Sequence, residues 1–116
     1  MATQDDALPL LKGTLDLLIL KTLSWGSMHG YAIATWLEHR SDGALGVDDS
    51  ALYQALQRME ARGWLSAEWG VTENNRRARY YSLTTAGRGH LRAQSATWLR
   101  YTRVVTAILS LSSRTA

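Results

Sequence analysis

The chain has 116 residues, a net charge of +3 and no cysteine, so it is long enough for one domain with a substantial core. Without a thiol, disulfides, thiolate nucleophiles and cysteine–zinc sites are all excluded. The charge is unevenly placed: residues 1–70 hold five basic against nine acidic side chains, a balance of −4, whereas residues 71–116 hold eight arginines and only Glu73, a balance of +7. Residues 1–7 carry two aspartates and no basic group, which argues against a secretory signal; the lack of cysteine is compatible with the cytoplasm, the expected location. The apolar stretch over residues 8–23 is interrupted by Lys12, Asp16 and Lys21. It therefore predicts a buried helix and no membrane span.

The single proline, Pro9, stands before the first helix, where its fixed φ is harmless. That helix is expected over residues 10–24. Its leucines (Leu10, Leu11, Leu15, Leu17, Leu18, Leu20, Leu23) lie nearly all the way round, which asks for two packing partners, a second subunit among them. Residues 25–28 read as a turn, with Gly26 suited to cap the first helix. A second helix follows over residues 29–40, with Ile33, Trp36 and Leu37 facing inward. Residues 42–46 form a second turn, with a short strand allowed at 45–47.

The third helix takes Ser50 as N-cap, with Asp49 as the alternative, and ends at Gly63, a natural C′ residue. Leu52, Ala55, Leu56 and Met59 fall at i, i+3, i+4 and i+7, one apolar stripe. Ser50, Tyr53, Gln54, Gln57 and Arg58 fall opposite, a set rich in groups that read base edges or grip phosphates. Two strand-like runs come next. Leu65, Ala67 and Trp69 alternate with Ser66 and Glu68; Tyr81 and Leu83 alternate with Tyr80 and Ser82. Residues 70–78 between them read as a polar loop carrying Asn74, Asn75, Arg76 and Arg77. Thr84 or Thr85 then caps a long last helix, whose first turn Gly87 and Gly89 weaken. Beyond it Leu91, Trp98, Tyr101, Val105 and Ile108 keep a seven-residue rhythm, broken at Gln94. Such a stripe asks for another helix, and an identical chain is the simplest supplier.

Three helices, a hairpin and a long helix make a mainly α fold with a small β-hairpin: a winged helix-turn-helix over residues 8–84 and a C-terminal dimerisation helix over residues 85–112. Four stretches carry a resemblance: Gly13-Thr14-Leu15-Asp16-Leu17-Leu18-Ile19-Leu20, His29-Gly30-Tyr31, residues 51–64 (Ala-Leu-Tyr-Gln-Ala-Leu-Gln-Arg-Met-Glu-Ala-Arg-Gly-Trp) and residues 77–87 (Arg-Ala-Arg-Tyr-Tyr-Ser-Leu-Thr-Thr-Ala-Gly). In this order and at these gaps they resemble the PadR family of bacterial transcriptional regulators, in its branch with a single short C-terminal helix. The resemblance implies a homodimeric repressor that binds an inverted repeat in double-stranded promoter DNA and releases it when a small aromatic or cationic compound binds. Where Gln54 stands, proline is common in the family, so Gln54 adds a candidate base contact. Asp48 and Asp49 suit the dipole of the third helix but would repel a nearby phosphate.

The candidate DNA contacts are Ser50, Tyr53, Gln54, Gln57 and Arg58 on the third helix and Asn75, Arg76, Arg77 and Arg79 in the wing. Tyr53 is expected to donate to a phosphate, and Gln54 and Gln57 to meet base edges. Arg79 alternates with the strand and has a structural alternative. Trp98 lies mid-stripe, where a two-fold axis would set it near its own copy. Two indoles across a gap would sandwich a flat aromatic ligand, with Leu15, Leu18 and Ile19 as cavity walls; plain core is the other reading of all four. Leu91, Trp98, Tyr101, Val105 and Ile108 are the candidate dimer residues. His29, His39 and His90 have no metal-ligand spacing, His39 and His90 reading as surface residues. No catalytic arrangement, cofactor or metal site is expected. A winged-helix protein-interaction module and a small-molecule sensor that does not bind DNA remain as alternatives.

Overall fold

The computed structural model describes residues 13–112, in the order α1 (Thr14–Leu23), β1 (Met28–His29), α2 (Gly30–Arg40), α3 (Asp49–Ala61), β2 (Leu65–Val71), β3 (Arg77–Leu83) and α4 (Thr85–Leu109). The part of the first helix expected at residues 10–12 lies outside the described residues. Gly13, at φ 83, precedes α1. Among the described residues no helix is long and apolar enough to cross a membrane.

One core serves every element. Ile19, Leu20 and Leu23 of α1, Ile33 and Leu37 of α2, and Leu52, Ala55, Leu56 and Met59 of α3 are buried together with Leu65, Tyr81 and Leu91. The period of the apolar residues on α3 thus matches its buried face. Burial of Tyr81 raises the pKa of its phenol above the ordinary value, with Arg79 pulling it down and Glu60 and Tyr53 pushing it up. The buried hydroxyl of Thr22 is satisfied within its own helix, donating to the Leu18 carbonyl at 2.8 Å.

Several boundaries differ from the sequence expectation. Residues 28–29 are a strand, pairing antiparallel with Tyr80–Tyr81 to make a three-stranded sheet of order β1-β3-β2. Two residues carry no readable period, and their partners lie some fifty positions away. The strand allowed at 45–47 shrinks to a single bridged residue, Leu45. The C-cap of α1 is Ser24, with Gly26 two residues beyond it. The N-cap of α3 is Asp48, whose carboxylate accepts from the Ala51 N–H at 2.9 Å. Ser50 and Asp49 therefore sit inside the first turn. At its other end α3 closes as expected: Gly63 at φ 80 donates to Glu60 O, and Trp64 donates to Met59 O, both at 3.0 Å. These two bonds form a Schellman motif. The hairpin is longer than the polar composition suggests, because the ladder continues to Val71↔Arg77.

Thr84 ties the hairpin to α4. Its Oγ1 accepts from the Gly87 N–H at 3.0 Å and donates to the Gly63 carbonyl at 2.6 Å. Gly87 is a packing requirement more than a weak point: a Cβ there would collide with the Trp64 carbonyl oxygen and stand 3.2 Å from Leu83. Only Gly87 and Leu91 of α4 are buried. Past Leu91 the side chains of this 25-residue helix are half-buried or exposed, in a molecule measuring 62 × 35 × 21 Å.

Candidate nucleic-acid interface

The apolar stripe of α3 turns Ser50, Tyr53, Gln54, Gln57 and Arg58 outward, and all five are exposed. Tyr53 does more than face solvent. Its ring lies against Gly30 at the start of α2, so closely that a Cβ on Gly30 would come within 2.8 Å of it. A side chain at position 30 would therefore have to displace the end of the Tyr53 ring. Just before it, His29 caps α2: Nδ1 accepts from the Ala32 N–H at 3.2 Å, and the ring meets Tyr80 edge-on with centroids 5.3 Å apart.

The wing closes through a turn in which Asn75 N–H donates to Thr72 O at 2.9 Å, with Asn75 itself left-handed at φ 61. Thr72 N–H donates to Arg76 O at 2.8 Å, the three-residue hairpin pattern. Asn75, Arg76 and Arg77 are exposed at this tip. The Arg77 guanidinium sits 4.6 Å from the centroid of Trp69, which orients it without neutralising it. Trp69, placed on the inward side by its alternation, is instead 60% exposed, because this end of the ladder runs past the core.

Two of the nominated arginines are committed inside the chain. Arg58 reaches back to the carboxylate of Asp16 on α1. Arg79 donates from Nη2 to Glu60 Oε2 of α3 at 2.9 Å. Neither pairing could be read from the sequence, since the partners lie 42 and 19 residues away. Among the described residues, Arg76 and Arg77 make no ion pair.

Tyr53, Gln57, Arg76, Arg77 and Arg79 line one open cleft of about 1220 Å³ between α2–α3 and the wing. Ser50, Gln54, Arg58 and Asn75 do not line it. The cleft also takes in His29, Tyr31, Trp69 and Tyr80. Tyr31 is 75% exposed, and sequence reasoning gave it no role beyond its place in a motif. Donors of several kinds around a groove with unneutralised arginines at one rim form a surface suited to a phosphate backbone and base edges.

The α4 side is arranged differently from the expectation. Leu91 is spent on the chain's own core, because α4 packs on α1 and β3. Trp98 and Val105 are half-buried, and Tyr101 and Ile108 are each 63% exposed. Trp98 and Tyr101 border a groove of about 360 Å³ against Thr14, Leu17 and Leu20 of α1. Ile19 is fully buried and is core, not a cavity wall. Leu15 and Leu18 are half-buried against that core and lie outside the groove, since α1 turns Leu17 and Leu20 toward α4. His90, expected at the surface, stacks on Trp64 with centroids 3.7 Å apart and planes at 13°. Among the described residues no group of three or more His, Cys, Asp or Glu could hold a metal ion.

Residues 19–93 match the family described as transcriptional regulator PadR-like. A protein from Streptococcus mutans superposes with a TM-score of 0.79 at 27% identity, over 94% of this chain and 98% of the other. A PadR family transcription regulator from Clostridium difficile gives 0.74 at 26% identity, over 84% of this chain and 100% of its own. Bacillus subtilis PadR in complex with operator DNA gives 0.64 at 20% identity, over 72% of this chain and 48% of that one. At that last level of identity the likeness establishes the winged fold alone.

Proposed function

Since this chain belongs to the PadR-like family of transcriptional regulators, we propose that it is a homodimeric repressor that binds a palindromic operator in double-stranded DNA and is released by a small aromatic ligand. The observation that carries the DNA-binding part is the shared cleft: α3 supplies Tyr53 and Gln57 and the wing supplies Arg76 and Arg77 around one groove. In this reading α3 enters a major groove, Gln57 and Gln54 meet base edges, and the wing arginines grip the flanking backbone. Ser50, Tyr53 and Asn75 add phosphate contacts. Arg58 and Arg79 act by holding α3 in place.

The winged helix of residues 8–84 is the DNA-binding part, and residues 85–112 form the dimerisation helix. Of that helix the segment past Leu91 does the pairing, through Trp98, Tyr101, Val105 and Ile108. Tyr101 and Ile108, exposed on the same stripe as half-buried Trp98 and Val105, support this. Dimerisation sets two readers about one helical turn of DNA apart, which dictates a palindromic site. The groove beside Trp98 is the ligand site, walled by aromatic rings and by Leu17 and Leu20. A ligand there favours an altered reader spacing and so lowers DNA affinity by linkage.

Selection of bound sequences from a random duplex pool tests this reading. The expected result is an inverted repeat with half-sites one turn apart. Recovery of no motif, together with sedimentation as a monomer at micromolar concentration, would refute it. Val105→Asp should turn a dimer into a monomer with the winged domain still folded.

A further inference from the structure

Beyond Glu73 the sequence has no acidic residue, and half of the eight arginines found there lie on α4: Arg88, Arg92, Arg100 and Arg103. All four are exposed. The ion pairs among the described residues, Arg58–Asp16 and Arg79–Glu60, involve none of them.

At 100° per residue the four arginines fall within about 120° of arc, whereas Gly87 and Leu91, which face the core, and Trp98 and Val105 lie roughly on the opposite side. This face therefore stays open whether or not the apolar stripe is covered. It is also separate from the cleft: α4 packs on α1 and β3, and none of its residues lines the cleft. Arg88–Arg92 and Arg100–Arg103 are like-charge pairs at i,i+4 and i,i+3, a spacing that destabilises a helix in isolation. The two pairs stand about 17 Å apart along a rigid axis. Four unneutralised guanidinium forks at fixed spacing fit an ordered row of phosphates. On the same arc Leu99 is the one large apolar side chain, so there is no apolar centre for a protein partner to bury.

We propose that the outer face of α4 is a second nucleic-acid surface, which holds a further DNA duplex and lets a dimer seated on one duplex bridge it to another. The bridging part rests on the DNA-binding dimer proposed above.

The test is a two-duplex capture. The protein is loaded on an immobilised duplex carrying its selected operator, and a labelled random-sequence duplex is then offered. The wild type should retain the labelled duplex. A variant with Arg88, Arg92, Arg100 and Arg103 all changed to Gln, which keeps helix propensity, should bind the first duplex as before. Its capture of the second should fall by at least about tenfold. Arg76→Ala/Arg77→Ala, loaded at low salt to equal occupancy, should still capture. Normal binding of the first duplex with no capture of the second overturns this proposal alone, as does undiminished capture by the quadruple variant. So does retention of labelled polyglutamate or of anionic phosphatidylserine vesicles in place of the second duplex. Wild-type protein that binds no first duplex overturns the DNA-binding reading as well.

Discussion

Arg76 and Arg77 are the exposed wing charges that the chain does not neutralise itself, and their double replacement by alanine isolates the electrostatic part of binding. Arg77 is held in place over Trp69 at 4.6 Å, so it loses little freedom on meeting a phosphate. If each arginine neutralises one phosphate, a dimer loses about four contacts in the double variant. The slope of log affinity against log salt should then flatten by roughly 3.6, at 0.9 per phosphate on duplex DNA. Between about 50 and 200 mM salt, the wild type should lose roughly 150-fold more affinity than the variant. Fluorescence anisotropy on a labelled operator and a scrambled duplex across a salt series reads both quantities. The losses should be alike on the two duplexes, because phosphates carry no sequence. Arg79→Ala is the comparison, since its Nη2 is paired with Glu60 Oε2; it should flatten the slope less than the loss of either wing-tip arginine. Equal slopes for wild type and double variant would show that the wing does not touch the backbone. A loss confined to the operator would mean that it reads bases instead.

Gln57→Ala should relax the preference at one base position by about 1–3 kcal/mol; an unaltered motif from the random pool removes Gln57 from the readers. Gly87→Ala forces a methyl group onto the Trp64 carbonyl and should cost about 1–3 kcal/mol, seen as a lower thermal midpoint. An unchanged midpoint would mean that α4 does not approach the end of α3 this closely. For Arg58 and Asp16, whose side chains are 45% and 20% exposed, a double-mutant cycle should give a coupling of only about 0.5–1 kcal/mol. Zero coupling would return Arg58 to solvent and to the set of direct DNA contacts.

What could be read in advance followed from period and sign. The stripe Leu52, Ala55, Leu56 and Met59 states both that α3 is a helix and which side it buries, because four residues repeat a 3.6-residue rhythm. The arginine-rich hairpin was visible for a similar reason, as an abrupt change of charge after residue 70. Features depending on one atom or on distant partners were not legible. Asp48 caps α3 in place of Ser50 because backbone conformation, not residue type, chooses among three adjacent capping residues. The pairing of Met28 and His29 with β3 needs a strand fifty residues later. Leu91 repeats the rhythm of Trp98 and Val105, yet it is core while they line the protruding part. The difference lies in where the domain ends along α4, and periodicity carries no such information.

The reader helix shows why the distant pairings matter more than their individual strengths suggest. Apolar burial holds α3 against the core and selects its inward face, but that attraction is non-directional and leaves the fine setting of the helix open. The orientation comes from contacts made at fixed points. Tyr53 rests on Gly30 of α2, Arg58 is tied to Asp16 of α1, and Glu60 is tied to Arg79 of β3. Each neighbouring element thus supplies one restraint, and the two ion pairs leave the outward arc to Ser50, Gln54 and Gln57. Asp16 also borders the groove beside Trp98. Any group that occupies the groove and displaces this carboxylate therefore acts on α3 through Arg58, without moving the core. In the proposed regulator, Asp16→Asn should weaken the response of DNA binding to a groove ligand more than it weakens ligand binding. Equal losses in the two measurements would place the coupling elsewhere.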